Sequence, residues 1–310
     1  MPLSRRQFVA RSSAALAALP FASPVASALA SSMPSAGSAQ TFEDLRAGVG
    51  MFTQRGGTIG YYAADHALVM VDSQFPDSAQ ACYDGLDART PGRASVLDLL
   101  VNTHHHGDHT AGNLVVAPLA ARHVAHEAVP GIQRVSAVQR GTLDQQAYAR
   151  ETYANYWSAS VGDETITLRY YGPAHTAGDS VVHFENANVV HMGDLVFNRL
   201  PPYIDLAAGS TTQGWISVME AAHAQFDDDT LFLFGHGKEG FGVKGTRADL
   251  LVQRDLLTAL NEHVANGLAA GQSEDEIAVD VLPAFPEHTT ARRTIASSIR
   301  AVIQEQKRGN

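Results

Sequence analysis

The chain is poor in cysteine, in cations and in long apolar runs. A single cysteine, Cys82, among 310 residues excludes an internal disulfide, so stability must come from an apolar core and from bound groups. Cys82 lies in an amphipathic stretch, where a small buried hydrophobe is expected rather than a reactive thiol. Lys and Arg number 22 against 32 Asp and Glu, a formal net charge of −10. That leaves no basic footprint for phosphates and weighs against nucleic acid or anionic lipid as partners. Beyond the N-terminal segment no run is apolar enough to span a membrane, so no stable anchor is expected. No internal repeat is present. The remaining composition, 45% hydrophobic and 17% charged, is that of an ordinary globular protein of one large or two small domains.

The N-terminus reads as a targeting segment. A twin arginine stands in Ser4-Arg5-Arg6-Gln7-Phe8-Val9, an Ala/Leu-rich stretch follows, and Ala28-Leu29-Ala30 has the small-residue pattern of a cleavage site. Residues 1–30 therefore resemble a bacterial twin-arginine (Tat) signal, which implies the Tat export machinery as a partner and a periplasmic or secreted location. Cleavage after Ala30 would remove three arginines and no acid, taking the formal charge from −10 to −13. The Ser/Ala/Pro/Gly-rich residues that follow are expected to be a flexible leader over 31–44.

From Leu45 the pattern turns regular. Val49–Phe52, Thr58–Tyr62 and Leu68–Val71 read as strands, with Asp65-His66 as a solvated hairpin turn. Asp77–Arg89 reads as a helix and Val96–Asn102 as a buried strand, a βαβ order that ends in a polar loop. Arg122–Ala125 reads as a further strand. Val135–Trp157, with Tyr148, Tyr153, Tyr156 and Trp157, reads as helix or insertion, its tyrosines packing on a core. Strands return at Glu164–Tyr170, Ser180–Phe184, Asn188–His191 and Leu231–Phe234, with a helix over Thr212–Gln225. Arg247–Lys307 has helical periodicity, broken at Gly271 and at Pro283–Pro286.

The loop after the βαβ unit carries the chemistry. His104, His105, His106, Asp108 and His109 fall within six residues. Neutral imidazoles and carboxylates are the ligands of borderline divalent metals. His104 and His106, two apart on an extended segment, point the same way, and Gly107 lets the chain turn before Asp108 and His109.

The pattern His-x-His-x-Asp-His resembles the metallo-β-lactamase superfamily. Later motifs agree in order: Gly172-Pro173-Ala174-His175, Met192-Gly193-Asp194 and Phe234-Gly235-His236, with an earlier Val71-Asp72 at a strand end. The resemblance covers roughly residues 45–240. It implies an α/β fold, an αββα sandwich of two mixed sheets covered by helices, with a domain over 45–310 whose part 246–310 is helical. It also implies two divalent metals, zinc first, with manganese or iron also suited. His104, His106 and His175 would bind one, Asp108, His109 and His236 the other, and Asp194 would bridge them. Asp72 would support the metal loop from behind. Asp108 would also orient the attacking hydroxide or carry its proton. Tat export of an already folded chain suits a protein that acquires its metals before leaving the cytoplasm.

The resemblance implies a hydrolase, and Asp194 narrows it. Zinc β-lactamases of this superfamily typically carry cysteine or serine at that place, whereas glyoxalase-II-like thioesterases and lactonases carry aspartate. The expected activity is hydrolysis of a carboxylic acyl bond, a lactone, ester or thioester, in a small molecule. The alternatives are a phosphodiesterase on the same scaffold, a β-lactamase and a non-catalytic metal-binding protein. His105 is expected to point away from the ligands. His183 and His191 are expected in the core, and Lys238, Arg292 and Arg293 at the surface. Phe197 and Tyr203 are weaker candidates for a pocket wall.

Overall fold

The computed structural model describes residues 40–90, 96–290 and 293–309, and these belong to a single unit. The expected signal over 1–30 lies outside the described residues. So does the expected leader up to residue 39, but Thr41–Arg46 forms a strand, β1, paired antiparallel with the next. The ordered domain therefore starts before Leu45. Gly48, at φ 81°, provides the turn between the two strands.

The chain continues through β2 (Val49–Thr53), β3 (Ile59–Ala64), β4 (Ala67–Val71), helix α1 (Pro76–Arg89) and β5 (Leu97–Asn102). Two short helical turns follow, α2 (Gly107–Thr110) and α3 (Asn113–Val116), then β6 (Ala120–His126), α4 (Ala128–Arg140) and β7 (Glu151–Tyr153). These seven strands form one sheet in sequence order, antiparallel from β1 to β4 and parallel from β4 to β7. The second sheet holds β8 (Tyr156–Val161), β9 (Glu164–Arg169), β10 (Val181–Phe184) and β11 (Val189–His191). After a short β12 (Phe197–Asn198) and helix α5 (Thr212–Gln225), it is completed by β13 (Leu231–Leu233) and, beyond β14 (His236–Gly237), by β15 (Lys244–Gly245). Three helices end the chain: α6 (Arg247–Ala269), α7 (Glu274–Ile277) and α8 (Ala296–Gly309).

Alternation along the strands builds the layers. In β4, Ala67, Val69 and Val71 face the second sheet, where they meet Ile166, Leu168, Val182 and Leu233, while Leu68 and Met70 pack outward beneath α1. In β11, Val189 faces inward and Val190 turns to Trp215 of α5 and to the leucines of α6. The result is the expected αββα sandwich with a helical C-terminal part. Among the described residues no helix is long and apolar enough to cross a membrane. Cys82 is fully buried under the first sheet, as expected of a hydrophobe.

One region departs from expectation. The stretch from Val135 to Trp157 is not a single helix or insertion: α4 stops at Arg140, capped by Gly141 at φ 67°, and Tyr153, Tyr156 and Trp157 lie in β7 and β8. Tertiary pairing decides this. Trp157 packs between the sheets and its indole N–H donates to Glu151 at 2.7 Å, contacts that a short polar run does not announce.

The sandwich brings the carboxyl ends of β4, β5, β11 and β13 to one rim, where α/β folds gather ligands. Close packing there leaves no room at Gly112, where a Cβ would collide with the Ser73 carbonyl oxygen and the Ala79 methyl. Gly112→Ala is expected to destabilise the protein by about 1–3 kcal/mol, lowering Tm by several degrees in a thermal melt. An unchanged Tm would show that the rim yields freely.

Candidate metal centre

Three strand ends and two loops deliver seven side chains to the rim. The metal loop leaves β5 through Thr103 and gives His104 and His106, then α2 gives Asp108 and His109. His175 comes from the β9–β10 loop. Asp194 follows β11, where Gly193 at φ 52° turns the chain and a Cβ would stand 2.7 Å from Thr103 Oγ1. His236 begins β14, paired with Phe197 of β12 and stacked on its ring at 5.6 Å and 14°.

The ligand atoms form two adjoining groups, His104/His106/His175/Asp194 and Asp108/His109/His236, each with its atoms within 4.8 Å of one another. His104 Nε2 and His175 Nε2 are each 3.0 Å from His106 Nδ1. They lie 3.8 and 3.7 Å from Asp194 Oδ2. In the second group His236 Nε2 is 3.1 Å from Asp108 Oδ2, and His109 Nε2 is 3.1 Å from Asp194 Oδ1. His236 Nε2 also lies 3.5 Å from Asp194 Oδ2, so Asp194 faces both groups.

Outer partners assign the tautomers. Thr103 donates its hydroxyl to Asp72 Oδ2 at 2.7 Å and so accepts from His104 Nδ1–H at 3.0 Å. His175 Nδ1–H donates to the Tyr203 carbonyl at 2.8 Å, and His106 Nε2–H to Asp205 Oδ2 at 2.9 Å. The inner nitrogens of the three rings crowd together and aim at one point, those of His104 and His175 as lone pairs. Burial, then neighbouring imidazoles, holds His104 well below the ordinary imidazole value and pushes His175 down to about 3, so neither ring gains a proton to relieve the crowding. Asp194 Oδ1 is buried without a hydrogen bond of acceptable geometry. Tetrahedral ligands of a metal with bonds near 2.1 Å stand about 3.4 Å apart, close to the observed separations. The donor set fits a divalent cation.

The second group is balanced differently. Burial would lower His109, but Asp194, Asp108 and Asp72 raise it well above the ordinary value. Burial likewise opposes a proton on His236, yet Asp194 and Asp108 lift it to about 9. Asp108 is lowered in turn, burial being outweighed by His109 and His236. Without metal, protons hold this group together, and a cation would replace them.

Asp72 takes the supporting position expected of it. Fully buried, it accepts from Thr103 N–H at 2.8 Å, from the Thr103 hydroxyl and from His109 Nδ1–H at 2.8 Å. His105 belongs to neither of the two groups; its Nε2 is 3.8 Å from Asp205 Oδ2, and with His106 and Asp205 it forms a third cluster of possible ligands beside the first. His191 donates to the Thr58 carbonyl in the core, and Lys238 donates to the Glu287 carbonyl outside the site. Asp205 was not expected. It caps a single helical turn at Leu206–Ala208, a signature readable in sequence, but nothing there ties it to His106.

A cavity of about 460 Å³ opens over Asp108, Asp194, His106 and His236, walled by Phe75, Phe197, Leu200 and Tyr203. The expected surface position of Arg293 is corrected here: it lines this cavity, as does Arg140. Arg292 lies outside the described residues.

Because His236 must lose its proton to bind a cation, affinity for a second Zn²⁺ should rise with pH from 6 towards 9, about tenfold per unit for each proton released. Calorimetry in buffers of different ionisation enthalpy measures this directly, and a pH-independent affinity would contradict the assignment. Asp72→Ala should weaken Zn²⁺ binding by about 10–100-fold.

Residues 53–236 match the family model described as the metallo-β-lactamase superfamily. The chain is 28% identical over 135 residues to the 2,4-dinitroanisole O-demethylase subunit alpha of Nocardioides sp. (strain JS1661), a match spanning 43% of this chain and 39% of that one. Among solved structures, the stereoselective inverting sec-alkylsulfatase Pisa1 from Pseudomonas sp. superposes with a TM-score of 0.68 at 16% identity, over 86% of this chain and 50% of that one. The metallo-β-lactamase from Pontibacter korlensis does so with 0.58 at 15% identity, over 71% and 99%. These structures share the fold. With the family model covering more than half its length, the chain belongs to the metallo-β-lactamase superfamily.

Proposed function

We propose that this superfamily hydrolase works with two divalent ions and cleaves a carboxylic acyl bond, a lactone, ester or thioester, in a small molecule. The observation that carries the reading is the pair of ligand groups facing Asp194, one of three imidazoles and one of two imidazoles with the Asp108 carboxylate. Divalent ions, zinc first and manganese or iron on the same donors, supply hydroxide near neutral pH and polarise the bond to be broken.

The residues divide the remaining work. Asp108 is the carboxylate turned to the cavity, its side chain 33% exposed against 4% for Asp194. Held as an anion by His109 and His236, it is a poor store for a proton and a good acceptor that orients the attacking water. Asp194 keeps its negative charge between the groups. Phe197 holds the His236 ring by stacking. With Phe75, Leu200 and Tyr203 it excludes water and suits an organic acyl substrate of modest size. The aspartate at 194, where zinc β-lactamases typically carry cysteine or serine, supports an acyl substrate other than a β-lactam. The twin arginine at Arg5-Arg6 supports an exported enzyme. A second reading, cleavage of an aryl ether, is supported by the 135-residue match to the O-demethylase subunit.

The test is turnover by the zinc-loaded protein on a lactone, a thioester, a cephalosporin, a bis-aryl phosphodiester and 2,4-dinitroanisole. An acyl substrate is expected to turn over, and Asp108→Ala to lower kcat by about 100-fold or more with circular dichroism unchanged. Turnover of the phosphodiester or the ether alone would replace the acyl reading. Unchanged kcat in Asp108→Ala would remove the role given to Asp108. No turnover on any substrate would favour a non-catalytic metal-binding protein.

A further inference from the structure

Two cations line the cavity, and neither is neutralised within it. Arg140 ends α4, and its Nη1 lies 3.8 Å from the place a Cβ would take on Gly107. Its guanidinium thus rests against the metal loop between His106 and Asp108. Arg293 holds its guanidinium 5.5 Å from the Tyr203 ring centroid and 5.9 Å from that of Phe197. Phe197 in turn is the ring stacked on His236. Both arginines border the same space as Asp108, Asp194 and His236.

Among the described residues, neither guanidinium has a carboxylate partner. Elsewhere Arg122 pairs with Glu151 and Arg300 with Asp275. The acids nearest in the site are already engaged. Asp108 and Asp194 face the imidazoles. Asp205, which borders an adjoining cavity with Arg140, accepts from His106 through Oδ2 and from Ala207 and Ala208 N–H through Oδ1. Arg140 is exposed and Arg293 half-buried, so in a chain with 32 acids and 22 basic residues two guanidinium groups stand over the metal-ligand cluster with their donors open to an anion. A guanidinium offers a planar fork of donors matched to a carboxylate, and one resting on aromatic rings is pre-oriented.

We propose that Arg140 and Arg293 form an oxyanion subsite, so that the substrate is a small organic anion whose carboxylate, remote from the scissile bond, is held at the cavity wall. The proposal rests on the hydrolase reading for the bond cleaved, but not for the binding of the anion. The aromatic wall takes the substrate's apolar body, the arginines take its charge, and the acyl group is directed at Asp108 and Asp194.

A matched pair of esters tests it: neutral phenyl acetate and 4-acetoxybenzoate, which carry the same acyl bond. The zinc-loaded enzyme should show a KM about tenfold or more lower for the anionic ester. Arg140→Gln and Arg293→Gln should each raise that KM about tenfold, and by more than they raise the KM for phenyl acetate, and Arg→Lys at either position should restore part of it. Calorimetry with benzoate and benzenesulfonate gives a readout independent of turnover. Binding of either should weaken at least tenfold in the double Gln variant, and the tighter probe tells a planar carboxylate from a tetrahedral oxyanion. Equal KM values for the two esters, or benzoate bound with full affinity by the double variant, would overturn the subsite. Arginine-dependent binding without ester turnover would retain it and remove the acyl-hydrolase reading instead.

Discussion

The Asp72 carboxylate is the constraint on which the rim depends. It stands past the end of β4 with its backbone at φ 65°, a left-handed conformation that a non-glycine residue adopts only when its surroundings insist. From there it binds the backbone and hydroxyl of Thr103 and the ring of His109. One bond fixes where the metal loop leaves β5. Another fixes His104, because a threonine hydroxyl donating to Asp72 can only accept from the neighbouring ring. The third fixes His109. Orientation of a ligand in each group thus descends from one side chain in the adjacent strand. Neighbouring bonds close the frame: Ser73 N–H donates to the His109 carbonyl at 2.8 Å, and Asn102 at the end of β5 bonds Asn113 at the start of α3.

That frame holds an arrangement the apolar core would otherwise reject. Three imidazoles crowd their inner nitrogens together, and a carboxylate is buried beside them. Burying such groups without compensation costs several kcal/mol per charge. The second group offsets part of this with protons on His109 and His236, whereas the first keeps His104 and His175 neutral by burial. Its crowding is therefore held open by the sheets, and a divalent cation is the natural partner. The free energy of metal binding would then act as folding energy for the rim. This explains why the supporting bonds to Thr103, Tyr203 and Asp205 come from outside the centre: they hold the rings in place whether or not the inner nitrogens are satisfied.

The parts legible in sequence are those with local causes. Strand alternation gave β2 to β4 and β9 to β11, and a run of imidazoles two residues apart gave the metal loop. Asp72, His175, Asp194 and His236 were legible because their motifs accompany the metal loop in the order of the family it resembles. What stayed hidden has no local cause. β7 and β8 are short and polar, and they are strands because Trp157 and Tyr153 pack between the sheets. Asp205 looks like a helix cap until the fold carries it 99 positions back to His106. Arg293 looks like surface charge until the C-terminal segment folds over Phe197 and Tyr203. Thr41–Arg46 looks like leader until β2 offers it an edge.

That contrast follows the division of labour at the rim. The proposed metal ligands lie at strand ends or in loops tied to them, with positions fixed by two packed sheets to the accuracy that chemistry requires. The cavity wall is assembled from the end of α4, the loop around Leu200 and Tyr203, and the segment before α8. These pieces are distant in sequence and carry none of the seven ligands. Side-chain changes in Arg140 and Arg293 alter what the cavity accepts, whereas the Tyr203 backbone also holds the His175 ring. A superfamily can therefore keep one centre and serve many substrates, and in this chain the proposed substrate would be chosen by Arg140, Tyr203 and Arg293 rather than by the histidines.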